Sequence, residues 1–239
     1  MDTPNFSKPS AADFGASFFT HAPPRLPLGY PNGWMSAKDL TVLHNAARRT
    51  AGPVLEIGPW LGRSSSAIAT GLRARIDEDG HEPVAYDMID FGITSAEEWV
   101  ARFNERFRLD KDQGRVAEAV YHPGGTIAVL IKNLKANGLL PYVTNVIRGD
   151  FLECPLARSY GMIFCDATHD DAEIHRHLPK IAELAAPGAL LVFDDIITED
   201  RADLVCSYLD VENHVMTRTM FPDRKDRCKL MIVELKSKA

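Results

Sequence analysis

The residues able to do chemistry recur at one kind of place, the ends of short apolar runs. Glu56-Ile57-Gly58 closes the first run, Asp87 the second and Gly149-Asp150 the third. Cys165-Asp166 closes the fourth and Asp194-Asp195 the fifth. If each run is a strand, every exit offers a carboxylate. In an open α/β sheet, ligands bind outside the carboxyl ends of the strands. A row of acids there does not suit a phosphate, which calls for Lys, Arg and helix N-termini. It suits a ligand with hydroxyls, an amine and a positive charge, or a metal cation. In EIGPWLGRS, Gly58 and Gly62 leave a strand and enter a helix, where something must come close to the backbone. A P-loop, GxxxxGK[ST], would need a lysine that this loop lacks, and the dinucleotide fingerprint GxGxxG is also missing.

The elements that must position these residues follow from apolar spacing. Strands are expected over 53–57, 83–89, 142–150, 161–167 and 189–195, and two more in HVMTRTM and KLMIVEL. Ser36 with Asp39 three residues on is a helix start. A second helix covers 62–75 and another runs from about 126 to 136. Thr94 to Glu97 reads as a capping box, with Trp99, Phe103 and Phe107 striping the helix behind it. Ile174, Leu178, Ile181 and Leu184 mark a helical stretch that Pro179 interrupts and that ends at Pro187-Gly188. A last helix lies near 201–209. Strands alternating with helices, several of them continuous apolar runs, indicate a parallel sheet covered on both faces. The fold class is α/β: a Rossmann-like, doubly wound, mostly parallel seven-stranded sheet with an antiparallel edge hairpin, plus an N-terminal arm.

The chain has 239 residues, 45% of them hydrophobic, and a net charge of −6. That suits one domain and gives no electrostatic footprint for nucleic acid or an anionic membrane. No apolar run approaches the ~20 residues of a membrane helix. The first residues show no charged-then-apolar signal pattern, and the four cysteines show no CxxC pairing. The simplest expectation is a reduced, cytoplasmic protein. Residues 1–35 hold six of the fifteen prolines and several aromatics, Phe18, Phe19, Tyr30 and Trp34 among them. They are expected to form an arm or lid, or a brace or homodimer contact, beside a domain over 36–239, and their aromatics, with those of the Trp99 helix, could line an acceptor pocket or a dimer interface.

Glu56 to Ser64 resembles the first motif of class I S-adenosylmethionine (SAM)-dependent methyltransferases. The resemblance implies that Gly58 and Gly62 admit the methionine part of SAM, with Glu56 and Ser64 in the same loop. It implies that Asp87 binds the ribose hydroxyls, and that Asp150 with Phe151 lies near the adenine. The stretches MIFCDATHDDAEI and ALLVFDDI further resemble the metal-dependent small-molecule O-methyltransferases of catechol type and macrolide-sugar type. By that resemblance Asp166, Asp194 and Asp195 would hold Mg²⁺, a hard cation that takes carboxylate oxygens. The ion would lower the pKa of an acceptor hydroxyl, and His169 would be the general base, with its reference pKa of ~6.5.

Other readings stand beside these. Asp166 also serves metal-free SAM enzymes, Asp194-Asp195 could cap the next helix or pair with Arg201, and His169 could hydrogen-bond at a helix start. His175 and His177, two apart, cannot share a helix face and are expected at the surface. The chain departs from its relatives in having Asp171 where many carry an aromatic, and in lacking Trp and Gly in ITEDRADLVCSYL. The expected function is SAM-dependent O-methylation of a small molecule, in secondary metabolism. The alternatives are a SAM-consuming cyclase or lyase, a metal-independent N-methyltransferase, or a non-catalytic SAM-binding subunit.

Overall fold

Ser36 has an extended backbone, and its hydroxyl accepts from the Asp39 N–H at 3.2 Å. The Asp39 carboxylate accepts in return from the Ser36 N–H at 2.7 Å. This reciprocal box starts the helix as its residue types require. The computed structural model describes residues 11–103, 116–209, 215–220 and 229–237. Its helices are α1 (Ala11–Ala16), α2 (Ala37–Arg49), α3 (Arg63–Asp77), α4 (Ala96–Phe103), α5 (Gly125–Ala136), α6 (Asp171–Leu184) and α7 (Glu199–Leu209). Its strands are β1 (Val54–Ile57), β2 (Tyr86–Asp90), β3 (Asn145–Arg148), β4 (Tyr160–Cys165), β5 (Ala185–Phe193), β6 (Val215–Met220) and β7 (Met231–Leu235). Among these residues no helix is long and apolar enough to cross a membrane.

The sheet order is β3-β2-β1-β4-β5-β7-β6. The strands from β3 to β5 pair in parallel, and β7 runs antiparallel to both β5 and β6. The mostly parallel Rossmann-like sheet with an antiparallel edge is therefore present. The two C-terminal strands pair antiparallel at this edge as expected, with β7 against β5 and β6 outermost. The chain winds outward from β1 through β2 to β3, then returns to place β4 on the other side of β1. The strand order thus reverses between β1 and β4, where such sheets open a crevice. Alternate strand residues face opposite layers. Val54, Met88, Met162 and Phe164 pack with Leu43, Ile68 and Leu130 of α2, α3 and α5. Leu55, Ile163, Leu191 and Phe193 pack with Ile174, Leu178 and Val205 of α6 and α7.

Several boundaries depart from expectation. The box that starts α4 is one residue later, with Ser95 Oγ accepting from Glu98 N–H and Glu98 Oε2 accepting from Thr94. Phe107 lies outside the described residues. Pro179 does not interrupt α6, which runs unbroken to Leu184, and β5 begins at once at Ala185. In the arm, Phe14 and Phe18 are buried edge to face at 5.1 Å, and the Arg49 guanidinium lies over Phe18 at 4.5 Å.

Candidate active site

Gly58, just past β1, has φ +85°, and Gly62, just before α3, has φ +94°. A Cβ on Gly58 would lie 3.0 Å from the Asp166 carbonyl oxygen, so this loop passes the end of β4 only as glycine. A Cβ on Gly62 would meet Leu130 Cδ1 at 2.9 Å, so its small size serves the packing of α3 on α5 as well. Between them Trp60 is held at φ +49°, a conformation side-chain-bearing residues seldom adopt. Glu56 points away from the loop into the core. Its two oxygens accept from Ser64 Oγ and from the Tyr86 hydroxyl, both at 2.5 Å. Burial pushes its carboxyl up to about 7 against the opposing pull of these two hydrogen bonds. Arg63 turns outward and donates to the carbonyls of Met35 and Pro31 at 2.8 and 3.0 Å, fastening residues 31–35 beside the loop.

Opposite the loop, β4 and β5 deliver their carboxylates to one point. Asp166 follows β4 directly, and its N–H donates to the Ile57 carbonyl at 2.9 Å. Asp194 and Asp195 follow β5, with Asp195 at φ +59°. His169 Nε2 lies 3.5 Å from Asp166 Oδ1 and 3.8 Å from Asp195 Oδ2. Its Nδ1 is 2.9 Å from Glu173 Oε2, which also accepts from the His169 backbone N–H at 2.8 Å. Burial alone would lower the His169 pKa; the carboxylates of Glu173, Asp166 and Asp195 outweigh it and raise the ring to about 9. Lys229, two residues before β7, sets its ammonium 2.9 Å from Asp194 Oδ2 and 2.8 Å from Asp195 Oδ1. Burial pushes Asp166 and Asp194 upward, most strongly Asp194. Burial would lower the Lys229 pKa, but the three aspartates raise it overall.

Loop and carboxylates line one cavity of about 330 Å³. Its floor is Gly58, Ser64, Asp90, Asp166, His169, Asp194, Asp195 and Lys229, and Gly33, Trp34 and Met35 reach it from the arm. Trp34, Trp60 and Trp99 form an aromatic wall, with ring centroids 5.9 and 5.1 Å apart along the series. Two buried polar atoms here, Trp60 Nε1 and Asp194 Oδ1, have no partner among the described residues.

Residues 55–196, more than half of the chain, match the family Methyltransf_24, described as a methyltransferase domain. The chain belongs to this methyltransferase family. The resemblance to class I SAM-dependent methyltransferases is met. No curated protein sequence matches the chain. Among solved structures, the O-methyltransferase TomG from Streptomyces achromogenes, in complex with SAM, is similar at 18% identity. That alignment covers 85% of this chain and 82% of TomG, with a TM-score of 0.54. An O-methyltransferase from Bacillus cereus is similar at 14% identity over 98% and 94% of the two chains, with a TM-score of 0.50. The N-methyltransferase NodS from Bradyrhizobium japonicum is similar at 13% identity over 84% and 86%, with a TM-score of 0.50. Likenesses this distant share the fold alone.

In this methyltransferase the expected site residues divide into two groups. Gly58, Ser64, Asp166, His169, Asp194 and Asp195 meet at the cavity. Asp87 does not, and the expectation that it ends the second strand is corrected. It is the second residue of β2, buried, and bound by Asn145 Nδ2 at 2.7 Å, the Tyr160 hydroxyl at 2.9 Å and Arg158 Nε at 3.2 Å. Asp90 is the residue that ends β2 and lines the cavity. Glu56 reaches the cavity only through Ser64. Asp150 follows β3 and pairs with Arg176 at 2.9 Å. Phe151 is buried in the core against His177, with ring centroids 5.1 Å apart. That buried place corrects the expectation for His177, whose Nδ1 is 2.7 Å from the Ala167 carbonyl oxygen. His175 is exposed as expected and contacts the Tyr208 hydroxyl. Sequence reasoning missed Asp90, Glu173, Lys229 and Trp60, whereas Trp34 and Trp99 were among the aromatics expected at an acceptor pocket or a dimer interface. The one signal for Glu173 was its place four residues after His169, one helical turn on.

Proposed function

We propose that this methyltransferase moves the methyl group of SAM to a hydroxyl of a small molecule, with His169 as general base. The reading is carried by one observation, the single cavity into which the β1 glycine loop and the Asp166–His169–Asp195 cluster both open. SAM would lie over Gly58 with its ribose hydroxyls at Asp90, which takes the role expected of Asp87. Ser64, oriented by Glu56, and Gly62 would shape the loop, and Asp150 with Phe151 would bound the adenine side. Of the expected arm, the stretch from Gly33 to Met35 lines one side of the cavity, beside the domain proposed over 36–239.

In the transfer, an oxygen lone pair of the acceptor forms the C–O bond as the C–S bond breaks, its electron pair returning to sulfur. The acceptor proton passes to His169 Nε2. The Glu173 carboxylate accepts from Nδ1–H, which fixes the tautomer whose free lone pair is on Nε2. A cavity of about 330 Å³ suits a small acceptor and the methyl end of the cofactor. The positive charge of the sulfonium disappears during the reaction, so the protein mainly supplies positioning. The acids would hold the sulfonium and the acceptor's hydroxyls.

Mg²⁺ held by Asp166, Asp194 and Asp195 would supply Lewis acidity to the acceptor oxygen. The residues present do not fit that ion, because the edge where Asp194 and Asp195 would meet it is spanned by the Lys229 ammonium. A different group, Asp166, His169 and Asp195, does bring one ligand atom each within 4.8 Å of one another. It would use the histidine that the transfer needs as a base, so no step runs through a metal. The test is His169→Gln, assayed by S-adenosylhomocysteine release with a panel of phenols and sugar hydroxyls. The variant should lose about 10²–10⁴ in rate while still binding cofactor. Near-wild-type turnover would remove His169 from the mechanism.

A further inference from the structure

The Asp194–Asp195 pair is matched to a cation that the chain itself provides. The antiparallel register of β5 with β7 sets Phe193 opposite Met231. Continued by two residues, it brings Lys229 opposite Asp195. The Lys229 backbone N–H donates to Asp39 Oδ1 at 3.2 Å, so the capped start of α2 fixes where the lysine leaves the strand. From there its Nζ bridges Asp194 Oδ2 at 2.9 Å and Asp195 Oδ1 at 2.8 Å. Asp194 is 2% exposed, and its other oxygen has no partner among the described residues. A buried carboxylate needs a counter-charge. Lys229 supplies it at the edge where the metal-dependent relatives would hold their ion.

We propose that the Lys229 ammonium is the built-in cation of this site, taking the place of a divalent metal between Asp194 and Asp195 and presenting an N–H to the acceptor oxygen. The inference rests on the methyl-transfer reading above. An ammonium has three donors. The two aspartates engage two of them, and Lys229 lines the cavity where the third can meet an acceptor. Lys229 positions and neutralises; it is not the base, because both aspartates hold its proton. A fixed ammonium is available without loading from solution, at the cost of the flexible coordination that a metal gives a bidentate acceptor.

The probe is Mn²⁺ alone, followed by loss of its free-ion paramagnetic resonance signal on adding the full chain. Wild type, Lys229→Arg and Lys229→Met are compared, with Lys229→Gln in place of the last should it not fold. Each is first titrated with S-adenosylhomocysteine. The proposal predicts that wild type and Lys229→Arg bind Mn²⁺ weakly. Lys229→Met, with an unpaired buried carboxylate, should bind it about 100-fold more tightly. Tight Mn²⁺ binding by wild type would overturn the proposal. So would a Lys229→Met or Lys229→Gln chain that binds S-adenosylhomocysteine but gains no affinity for Mn²⁺. Failure of wild type to bind S-adenosylhomocysteine would instead defeat the methyl-transfer reading and leave the Mn²⁺ comparison standing.

Discussion

His169 sits among three carboxylates, and they decide its protonation. With Glu173 Oε2 at 2.9 Å, Asp166 Oδ1 at 3.5 Å and Asp195 Oδ2 at 3.8 Å, the ring holds its proton up to about pH 9. A base acts from its neutral form, so at neutral pH most rings carry a proton in the cofactor-free protein. The sulfonium of SAM would add a positive charge beside the ring and favour the neutral form. S-Adenosylhomocysteine, whose sulfur is neutral, would not. Histidine titration by NMR should therefore give a midpoint near 9 for the free protein and a lower one with SAM than with S-adenosylhomocysteine. Equal midpoints with the two ligands would separate the ring from the methyl group. Gly58, Asp166 and the Asp194-Asp195 pair were legible in sequence because each directly follows its strand. Lys229 was not, because it reaches the site from a strand that runs the opposite way.

At the scale of elements, Glu56 ties three of them together. It rises from β1, accepts from Tyr86 of β2 and accepts from Ser64 of α3, all inside the core. Its carboxyl is raised from 4.5 to about 7, so the folded state binds its proton more tightly than the unfolded chain does. The stabilisation from that proton is complete below pH 4.5 and is lost as pH rises towards 7. Glu56→Gln keeps the shape without the titration. Its stability should be flatter over that window than wild type's, by up to ~3 kcal/mol, in urea unfolding at a series of pH values. Parallel pH profiles would contradict the assignment. Helix starts were legible where a side chain caps a backbone, as at Ser36 with Asp39. Ends set by pairing were not. PVAYDMI reads as a run containing Asp87, and only the pairing of Asp90 with Arg148 of β3 shows that β2 continues to Asp90. Pro179 reads as a break, yet the apolar face of Ile174, Leu178 and Ile181 keeps α6 continuous through it.

At the scale of the molecule, the alternation of apolar runs and helices made the parallel sheet legible, and the crevice between β1 and β4 follows from that winding. The placing of β7 inside the edge was not legible, because two consecutive strands suggest a hairpin without saying which one meets the sheet. The arm was legible only in its aromatic content. Its course, with Trp34 against Trp60 and Arg63 holding the Pro31 and Met35 carbonyls, depends on contacts that no local pattern encodes. The same winding brings Asp90, Gly58 and Asp166 to one cavity, and titration calorimetry with S-adenosylhomocysteine shows whether a cofactor enters it. Binding should saturate at one ligand per chain and weaken at least about tenfold in Asp90→Ala through loss of charge-assisted bonds to the ribose hydroxyls. Absence of saturable binding by the wild-type chain, or binding that Asp90→Ala leaves unchanged, would contradict cofactor binding there.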